Sequence, residues 1–263
     1  VRQWPDVIAV RGRGAMPAEH RTRGSYSAGQ ATRESILDAA MRLIAESGYH
    51  GFSLRDVGRE VGISHPAVIY HFPSKEALLL AVIHRFEQQM GLVGVEIDEG
   101  GAGLVERGVI PGDLGALSLQ LMRLAKSPEA ATLMMSVDSA LAVESACPSH
   151  PAHAHYVSRL RALRAFLVDQ LGVLADHGRC RSDLRADALA DCLIRTWYGL
   201  AVHTRYLADT DAGRYPISTF LATSARLLAL TPETVLLAAA SVPEDLGDIF
   251  ARSMRMYTGM ADA

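Results

Sequence analysis

The chain has 263 residues, of which 49% are hydrophobic and 21% are charged, and its formal net charge is −3 at pH 7. This length is enough for one small and one larger core, so we expect two domains of about 60 and about 170 residues. The slightly acidic balance excludes nucleic-acid binding through a globally basic surface. Any such binding would depend on a local patch.

Cysteine usage and hydropathy indicate the compartment. The chain has three cysteines, Cys147, Cys180 and Cys192. An odd number of cysteines without paired spacing is typical of a reducing environment. The sequence has no uncharged apolar run of the length that a membrane span needs, and its N-terminus does not read as a secretion signal. We therefore expect a cytoplasmic protein.

Residues 1–30 are rich in glycine, alanine, serine and arginine and hold few core-forming side chains, a composition that predicts a disordered arm. This segment contains five arginines and two acidic residues, Asp6 and Glu19. Two interpretations stay open. The arm could contact DNA phosphates or the minor groove beside a main binding site, or it could be a non-native start, because Met16 is an available initiator.

The first predicted helix runs from Thr32 to Ser47 and is stopped by Gly48. Its apolar residues recur at helical spacing and form one stripe, which consists of Ile36, Leu37, Ala40, Leu43 and Ile44. This amphipathic helix can supply the first member of a three-helix unit.

A second, short helix is predicted after Ser53. The hydroxyl of Ser53 can cap it, and Asp56, three residues on, can complete a capping box. Gly62 follows as a residue able to take the left-handed conformation that ends a helix. The helix therefore begins at Leu54 and the chain turns at Gly62.

A third helix is predicted from Ser64, which caps it, with Pro66 in its first turn, where a missing N–H costs nothing. Val68 and Ile69 are expected to be its buried anchors, and it ends at Phe72, since the residue before a proline is pushed out of the helical region. Two short capped helices joined by a glycine turn predict a helix-turn-helix, with the second as the recognition helix.

The stretch from about Thr32 to Leu80 resembles the N-terminal DNA-binding domain of TetR-family transcriptional regulators. The resemblance rests on Ile36-Leu37-Asp38-Ala39-Ala40, Gly48-Tyr49, Phe52-Ser53-Leu54-Arg55-Asp56-Val57, Gly62-Ile63-Ser64 and Tyr70-His71-Phe72-Pro73-Ser74-Lys75-Glu76-Ala77-Leu78. One departure is Gly58, where the family usually has alanine, and it costs about 0.5–1 kcal/mol of helix stability.

The resemblance implies two sets of DNA contacts. Side chains at helix starts or on one outward face suit phosphate oxygens, and these are Ser53, Ser64, Tyr70, His71 and Lys75. The expected base-edge contacts are Arg55, His65, Pro66 and Ala67. The competing interpretations are a solvated surface charge for Arg55 and a core aromatic for Tyr70.

The rest of the chain predicts an all-α bundle, so the fold class is a three-helix helix-turn-helix domain plus a larger helical domain for ligand binding and dimerisation. Helices are predicted at 75–90, 113–126, 128–144, 151–177, 184–208 and 217–230, with a glycine-rich loop or frayed segment at 91–115 and no strand. The predicted divisions are 1–30 for the arm, 31–91 for the DNA-binding domain with its connecting helix, 92–231 for the larger domain and 232–263 for a C-terminal helical extension of open role.

In the family, the larger domain binds an inducer and forms a homodimer. Helices 184–208 and 217–230 carry apolar stripes, and the small residues Ala222, Ser224 and Ala225 would let a helix of a second subunit approach closely. Adaptable and polar side chains that could line an inducer site are Met122, Met134, Met135, Asp138, Phe166, Trp197, Tyr198 and His203. Any of them could equally be plain core.

The sequence shows no catalytic constellation, so we expect no enzyme and no cofactor. Cys147, His150, His153 and His155 could hold zinc or copper, but their spacing matches no standard finger and loop histidines are ordinary. The function expected is a homodimeric repressor that a small, largely apolar ligand releases from a palindromic operator. The alternatives are an activator and a helical ligand-binding or adaptor protein without operator binding.

Overall fold

The computed structural model describes residues 22–90, 95–97, 104–106 and 114–259. The elements in the DNA-binding part are α1 (Thr22–Ser47), α2 (Leu54–Val61), α3 (His65–His71) and α4 (Lys75–Gln89). The larger part contains β1 (Val95–Ile97), β2 (Leu104–Glu106), α5 (Leu114–Leu124), α6 (Pro128–Glu144), α7 (His153–Asp176), α8 (Ala186–Tyr206), α9 (Asp211–Arg214), α10 (Pro216–Leu228), α11 (Pro232–Ser241), a 3-10 turn (Glu244–Leu246) and α12 (Gly247–Thr258).

Helices α1 to α4 form the small domain. The predicted stripe of α1 is buried at Ile36 and Ile44, and α2 and α3 each contribute one fully buried valine, Val57 and Val68. The expectation for Ile69 was wrong, since this side chain is 40% exposed. It lies about 100° around a seven-residue helix from Val68, and only the face that carries Val68 meets the domain core.

Helix α1 begins ten residues before the predicted start at Thr32, so the disordered arm proposed for residues 1–30 is wrong for residues 22–30. Residues 1–21 lie outside the described residues. Once the buried half of α1 is fixed, its extension needs no new nucleation, since each further residue that is ordered adds one backbone hydrogen bond. The hydroxyls of Thr32 and Ser35 also bond to the preceding turn, at 3.0 Å from the carbonyls of Ala28 and Ala31.

The segment 91–115 contains a short antiparallel strand pair, which the sequence did not predict. Strand β1 pairs with β2, with Val95 opposite Glu106 and Ile97 opposite Leu104. Three residues per strand are too few to show the alternating pattern that identifies a strand in a sequence. The remainder of the described fold is helical, as expected.

The larger domain is a bundle in which α8 packs against α6, α7 and α10. Helix α12, from the C-terminal extension, packs on α10, where Arg226 donates hydrogen bonds to the carbonyls of Tyr257, at 2.7 Å, and Met256. Ala222 and Ala225 of α10 are therefore already buried within their own chain. Two of the three small residues that the sequence offered to a second subunit are thus used for packing within the chain.

Helix α11 is the least buried of the described long helices. It holds no buried residue, and Leu236 is 70% exposed. Its start is fixed by Thr231, whose hydroxyl caps the helix, and by Thr234, whose hydroxyl donates to the carbonyl of Arg179 at 3.0 Å.

Among the described residues, no helix combines the length and apolar character of a membrane span.

Candidate nucleic-acid interface and ligand cavity

The start of α2 has the predicted capping box. The carboxylate of Asp56 accepts hydrogen bonds from the backbone nitrogen of Ser53 at 2.8 Å and from its hydroxyl at 2.7 Å. Arg59 forms an ion pair with the same carboxylate. Arg55 is exposed and, among the contacts of the described residues, has no hydrogen bond or ion pair, so it remains available to a ligand outside the chain.

A tight glycine turn sets α3 against α2. Gly62 adopts the left-handed conformation with φ of 78°, and the backbone nitrogen of Ile63 donates to the carbonyl of Gly58 at 2.9 Å. A Cβ at Gly58 would lie 2.9 Å from the carbonyl oxygen of Ile63. The departure from the family pattern at Gly58 thus accompanies a close approach of the turn to α2, which the sequence alone did not explain.

Helix α3 presents a polar face at its start and an aromatic ring near its end. Ser64 caps the helix and accepts from the backbone nitrogen of Ala67, and Pro66 follows in the first turn. Ser64 and Pro66 are exposed, His65, Ala67 and His71 are half-buried, and Tyr70 is 85% exposed. The core-aromatic interpretation of Tyr70 is therefore excluded, and its hydroxyl lies on the outside of the domain.

The structure turns Lys75 inward, in contrast to its predicted role as a phosphate contact. Its ammonium group donates to the carbonyl of Phe52 and lies 4.5 Å from the ring centroids of both Phe52 and Tyr49. Burial lowers the pKa of Lys75, and the nearby carboxylate of Glu144 partly opposes this. The lysine joins the α1–α2 turn to α4, because its cation–π and carbonyl contacts replace contacts of the ammonium group with water.

The larger domain contains a partly open cavity of about 430 Å³. Its wall is mostly apolar and draws on α4 to α8 and α10 to α12, with Leu117, Leu121, Leu163, Leu193, Phe220, Val235 and Met254 among its residues. This volume is in the range of sites for drug-sized molecules. The cavity is therefore large enough for a small organic ligand.

Half of the predicted ligand residues reach this cavity. Met122, Asp138, Trp197 and Tyr198 line it. The other four do not: Met134 and Met135 are fully buried in the core, Phe166 packs in the core cluster between α7 and α8, and His203 is exposed. Helical spacing shows that a side chain faces inward, but it does not distinguish a cavity wall from packed core.

One end of the cavity carries a buried polar cluster around Asp138. The Asp138 carboxylate accepts from Arg159 Nη2 at 2.5 Å, from the Tyr156 hydroxyl at 3.0 Å and from Trp197 Nε1 at 3.0 Å. Arg159 Nη2 also donates to the Tyr198 hydroxyl at 3.0 Å. Arg159 was missed by the sequence analysis, although it falls at helical spacing between Tyr156 and the later buried residues of α7.

Burial and nearby charges determine the protonation states of Arg159, Tyr156 and Tyr198. Burial raises the pKa of Tyr156 and Tyr198 above the ordinary tyrosine range, and the charge of Asp138 adds to the effect. Burial alone would lower the pKa of Arg159, but Asp138 and the two tyrosines reverse this and raise it well above its usual value. The arginine is thus cationic and both hydroxyls are neutral at physiological pH.

The polar cluster touches the helix that leads to the DNA-binding domain. Glu87 of α4 is buried, and its carboxylate accepts from His155 Nε2 at 2.6 Å and lies 3.9 Å from Arg159 Nη1. The Arg159 guanidinium also lies 5.3 Å from the ring centroid of Phe86. Because Phe86 of α4 also lines the cavity, a ligand at this end could act on α4 both directly and through Arg159.

A second junction lies at the end of α6. The Glu144 carboxylate accepts from the backbone nitrogen of Tyr49 at 2.7 Å, in the turn between α1 and α2. Gly48 has φ of 72°, and a Cβ there would lie 2.1 Å from the Glu144 Oε1 atom. His150 is buried beside this carboxylate, at 4.0 Å, and stacks edge-on against Tyr49. The DNA-binding domain is thereby fixed to the bundle through its main chain.

The proposed metal ligands are separately engaged. His153 Nδ1 lies 2.7 Å from the carbonyl of Ser145, His155 bonds to Glu87, and His150 Nδ1 accepts from the backbone nitrogen of Ala152. Cys147 is exposed and lies 3.2 Å from the Ser149 hydroxyl. Within the part of the chain that the structure describes, no group of three such side chains is placed to hold a metal ion.

Comparisons with known proteins agree with this geometry. Residues 36–82 match the family model described as bacterial regulatory proteins, tetR family. The HTH-type transcriptional regulator RutR of Escherichia coli K12 is 38% identical over 66 residues, which are 25% of this chain and 31% of RutR. The HTH-type transcriptional repressor Rv1474c of Mycobacterium tuberculosis is 36% identical over 75 residues, 26% of this chain and 40% of that protein. The chain thus spans about a third of the length of the curated relatives it matches.

Solved structures extend the likeness to the fold of the larger domain. A TetR-family transcriptional regulator from Agrobacterium tumefaciens superposes with a TM-score of 0.55 at 25% identity, covering 77% of this chain and 99% of that one. TylP, a TetR regulator from Streptomyces fradiae, superposes with a TM-score of 0.53 at 20% identity, covering 86% and 99%. Residues 36–82 therefore form a helix-turn-helix domain of the TetR family, joined to a larger helical domain of the kind its solved members have.

Proposed function

We propose that the protein is a sequence-specific DNA-binding transcriptional regulator, and that it acts as a homodimeric repressor released from its operator by a small, largely apolar ligand. The observation that carries this proposal is the capped α2–turn–α3 unit with its exposed outer face, in a segment that matches the TetR family. The exposed positions of Arg55, Ser64, Pro66 and Tyr70 support DNA contacts there.

The phosphate and base roles divide along α3. Its N-terminus, with the Ser64 hydroxyl, would face phosphate oxygens, as would Tyr70. Arg55, His65, Pro66 and Ala67 remain the proposed base-edge contacts. Lys75 is no longer part of this set, because its ammonium group is already held by Phe52 and Tyr49.

The dimer proposal now centres on α8. Two recognition helices about one DNA turn apart require two subunits. Helix α8 keeps an exposed stripe at Arg195, Gly199, Val202 and Tyr206, whereas α10 is covered by α12. We therefore expect Val202 and Tyr206 to lie in the two-fold contact, and sedimentation of Val202→Glu should show a shift from dimer to monomer.

The proposed release mechanism is a population shift through α4. A ligand that favours one arrangement of Arg159 would change the environment of Glu87, and α4 begins directly after the recognition helix. A small rotation of α4 would alter the spacing of the two recognition helices. The cavity and the DNA-binding surface would thus be coupled without direct contact.

Selection of bound duplexes from genomic DNA tests the regulator proposal. Wild type should enrich a palindromic site, and Tyr70→Ala should lose that enrichment while keeping its helical content, because Tyr70 is 85% exposed. Val143→Ala is the matched control, since Val143 is 72% exposed and lies on α6 rather than on α2 or α3. If wild type enriches no sequence at low salt, the adaptor alternative replaces the regulator. Reporter expression with the mapped operator distinguishes repression from activation.

A further inference from the structure

Residues that line the cavity carry buried hydrogen-bonding atoms for which the protein supplies no hydrogen-bond partner. Among the described residues, these include Arg159 Nη1 and Ser224 Oγ, and both side chains line the cavity. Buried polar atoms without partners are rare and costly in native proteins. Because both residues line one cavity, they are the positions at which a ligand would supply the missing partners.

The end of the cavity near Asp138 offers donors. Arg159 Nη1 has N–H groups to donate, and the Tyr198 hydroxyl accepts from Arg159 Nη2, which leaves its own hydrogen to donate elsewhere. The Asp138 oxygens already accept three hydrogen bonds, from Arg159, Tyr156 and Trp197. The group that fits here is an acceptor oxygen.

The charges of the cluster determine the charge of that acceptor. Arg159 is flanked by two carboxylates, Asp138 at 2.5 Å and Glu87 at 3.9 Å. An anionic head group would add a third negative charge to a site where charges are already poorly solvated. A cationic head group would face the Arg159 guanidinium. A neutral carbonyl oxygen satisfies the donors at no charge cost.

Ser224 marks the second position. It lies on α10, and the surrounding wall from α5, α10, α11 and α12 is mainly apolar. Ser118 lines the same cavity, but its hydroxyl already donates to the carbonyl of Leu114 at 2.8 Å. Of these two serines, only Ser224 has its hydroxyl buried without a partner, so a ligand hydroxyl or carbonyl would be recognised there.

We propose that the cavity binds a neutral, mainly apolar molecule that has a carbonyl oxygen at Arg159 and Tyr198 and a second hydrogen-bonding group at Ser224. This inference rests on the proposed function in placing the inducer in this cavity. The binding test itself contains no DNA, so its outcome is separate from the outcome of the operator test.

The test compares head groups on one ten-carbon chain. The probes are methyl decanoate, decanoate and decylamine, and binding is measured by the emission of Trp197 in a Trp4→Phe background, since Trp4 and Trp197 are the two tryptophans of the chain. We expect the ester to bind at least about tenfold more tightly than either ion. Equal or tighter binding of decanoate or decylamine, or no binding of the ester, overturns the proposal.

Variants then locate the contacts. Tyr198→Phe should weaken ester binding about fivefold, the loss expected for one hydrogen bond. It is preferred to an Arg159 substitution, which would leave Asp138 buried without its cation and endanger folding. Circular dichroism confirms that the variant is folded, and unchanged ester affinity in a folded Tyr198→Phe overturns the carbonyl position.

The second position is tested with methyl 10-hydroxydecanoate. Ser224→Ala should remove the advantage of the terminal hydroxyl over methyl decanoate, and Ser118→Ala should leave that advantage intact. If the hydroxyl gives no gain in affinity in the wild type, or if both serine variants respond alike, the assignment of Ser224 is wrong. Ester binding that leaves operator affinity unchanged would support the ligand class and contradict the release mechanism.

Discussion

The DNA-binding domain meets the bundle through two glutamates that are held in different ways. Glu144, at the end of α6, accepts from a main-chain nitrogen of the α1–α2 turn at 2.7 Å. Glu87, on α4, is held by the side chains of His155 and Arg159. A main-chain donor cannot rotate away or titrate, whereas side-chain partners can do both. The comparison suggests that the Glu144 junction is a fixed pivot and the Glu87 junction the adjustable contact.

The largest effect is expected from Glu144→Ala. It leaves the Tyr49 N–H without its acceptor and should lower the free energy of unfolding by about 1–3 kcal/mol. Urea unfolding measures the loss, with Glu46→Ala as the control, because Glu46 is exposed near the end of α1. A loss no greater than that of the control would show that the α6 junction is not a pivot.

Glu87→Gln should lower the free energy of unfolding less than Glu144→Ala does, but it should reduce the response to ligand more. The amide keeps a polar group beside His155 while removing the charge that faces Arg159, so we expect a loss of about 1 kcal/mol in unfolding. The change in operator affinity caused by a bound ester should shrink. Glu144→Gln is the matched comparison and should retain that change. If the two variants respond equally to ligand, the distinction between pivot and adjustable contact is lost.

Acidification should weaken the pivot. Desolvation by burial lowers the pKa of His150 below its ordinary value of 6.5, Glu144 opposes this, and His50 adds to it. His150 is therefore neutral in the folded protein, and the stability this provides is full above pH 6.5 and is lost as the pH falls toward the folded-state pKa. His150→Asn keeps an acceptor for Ala152. Its unfolding free energy should fall less steeply than that of the wild type between pH 6.5 and about 5.

The smallest effect is expected at Arg205, which donates to the carbonyl of Ala45 at 2.9 Å on the exposed side of the same region. This bond also uses a main-chain partner, but water can replace it. Arg205→Met should cost less than about 0.5 kcal/mol in urea unfolding. A cost comparable with that of Glu144→Ala would show that the main-chain partner alone, rather than its burial, determines the strength of the junction.

Local signals explain why the small domain could be predicted in detail. The Ser53–Asp56 capping box, the left-handed Gly62 and the Ser64 cap act within three or four residues, and each is found in the structure where the sequence indicates. The orientation of Lys75 could not be predicted, since its partner Phe52 is 23 residues away.

The cavity depends on contacts that no sequence window contains. Asp138, Arg159 and Trp197 lie on three helices and meet only after the bundle packs. Helical spacing identified Asp138 and Trp197 as inward-facing residues. It gave the same prediction for Met134, which is packed in the core and does not line the cavity. The packing of α12 on α10 could not be predicted either, because the apolar pattern of one helix does not show which helix packs against it.

Helix α11 forms part of the cavity wall, yet it contains no buried residue and is fixed mainly at its start, by Thr231 and Thr234. Substitutions along its cavity side, at Val235 or Ala238, would therefore remove little of the packing on which folding depends. The part of the wall that could distinguish one ligand from another is also the part where sequence change costs least. Under the proposed function, the ligand preference of this cavity can thus diverge during evolution without a matching loss of stability.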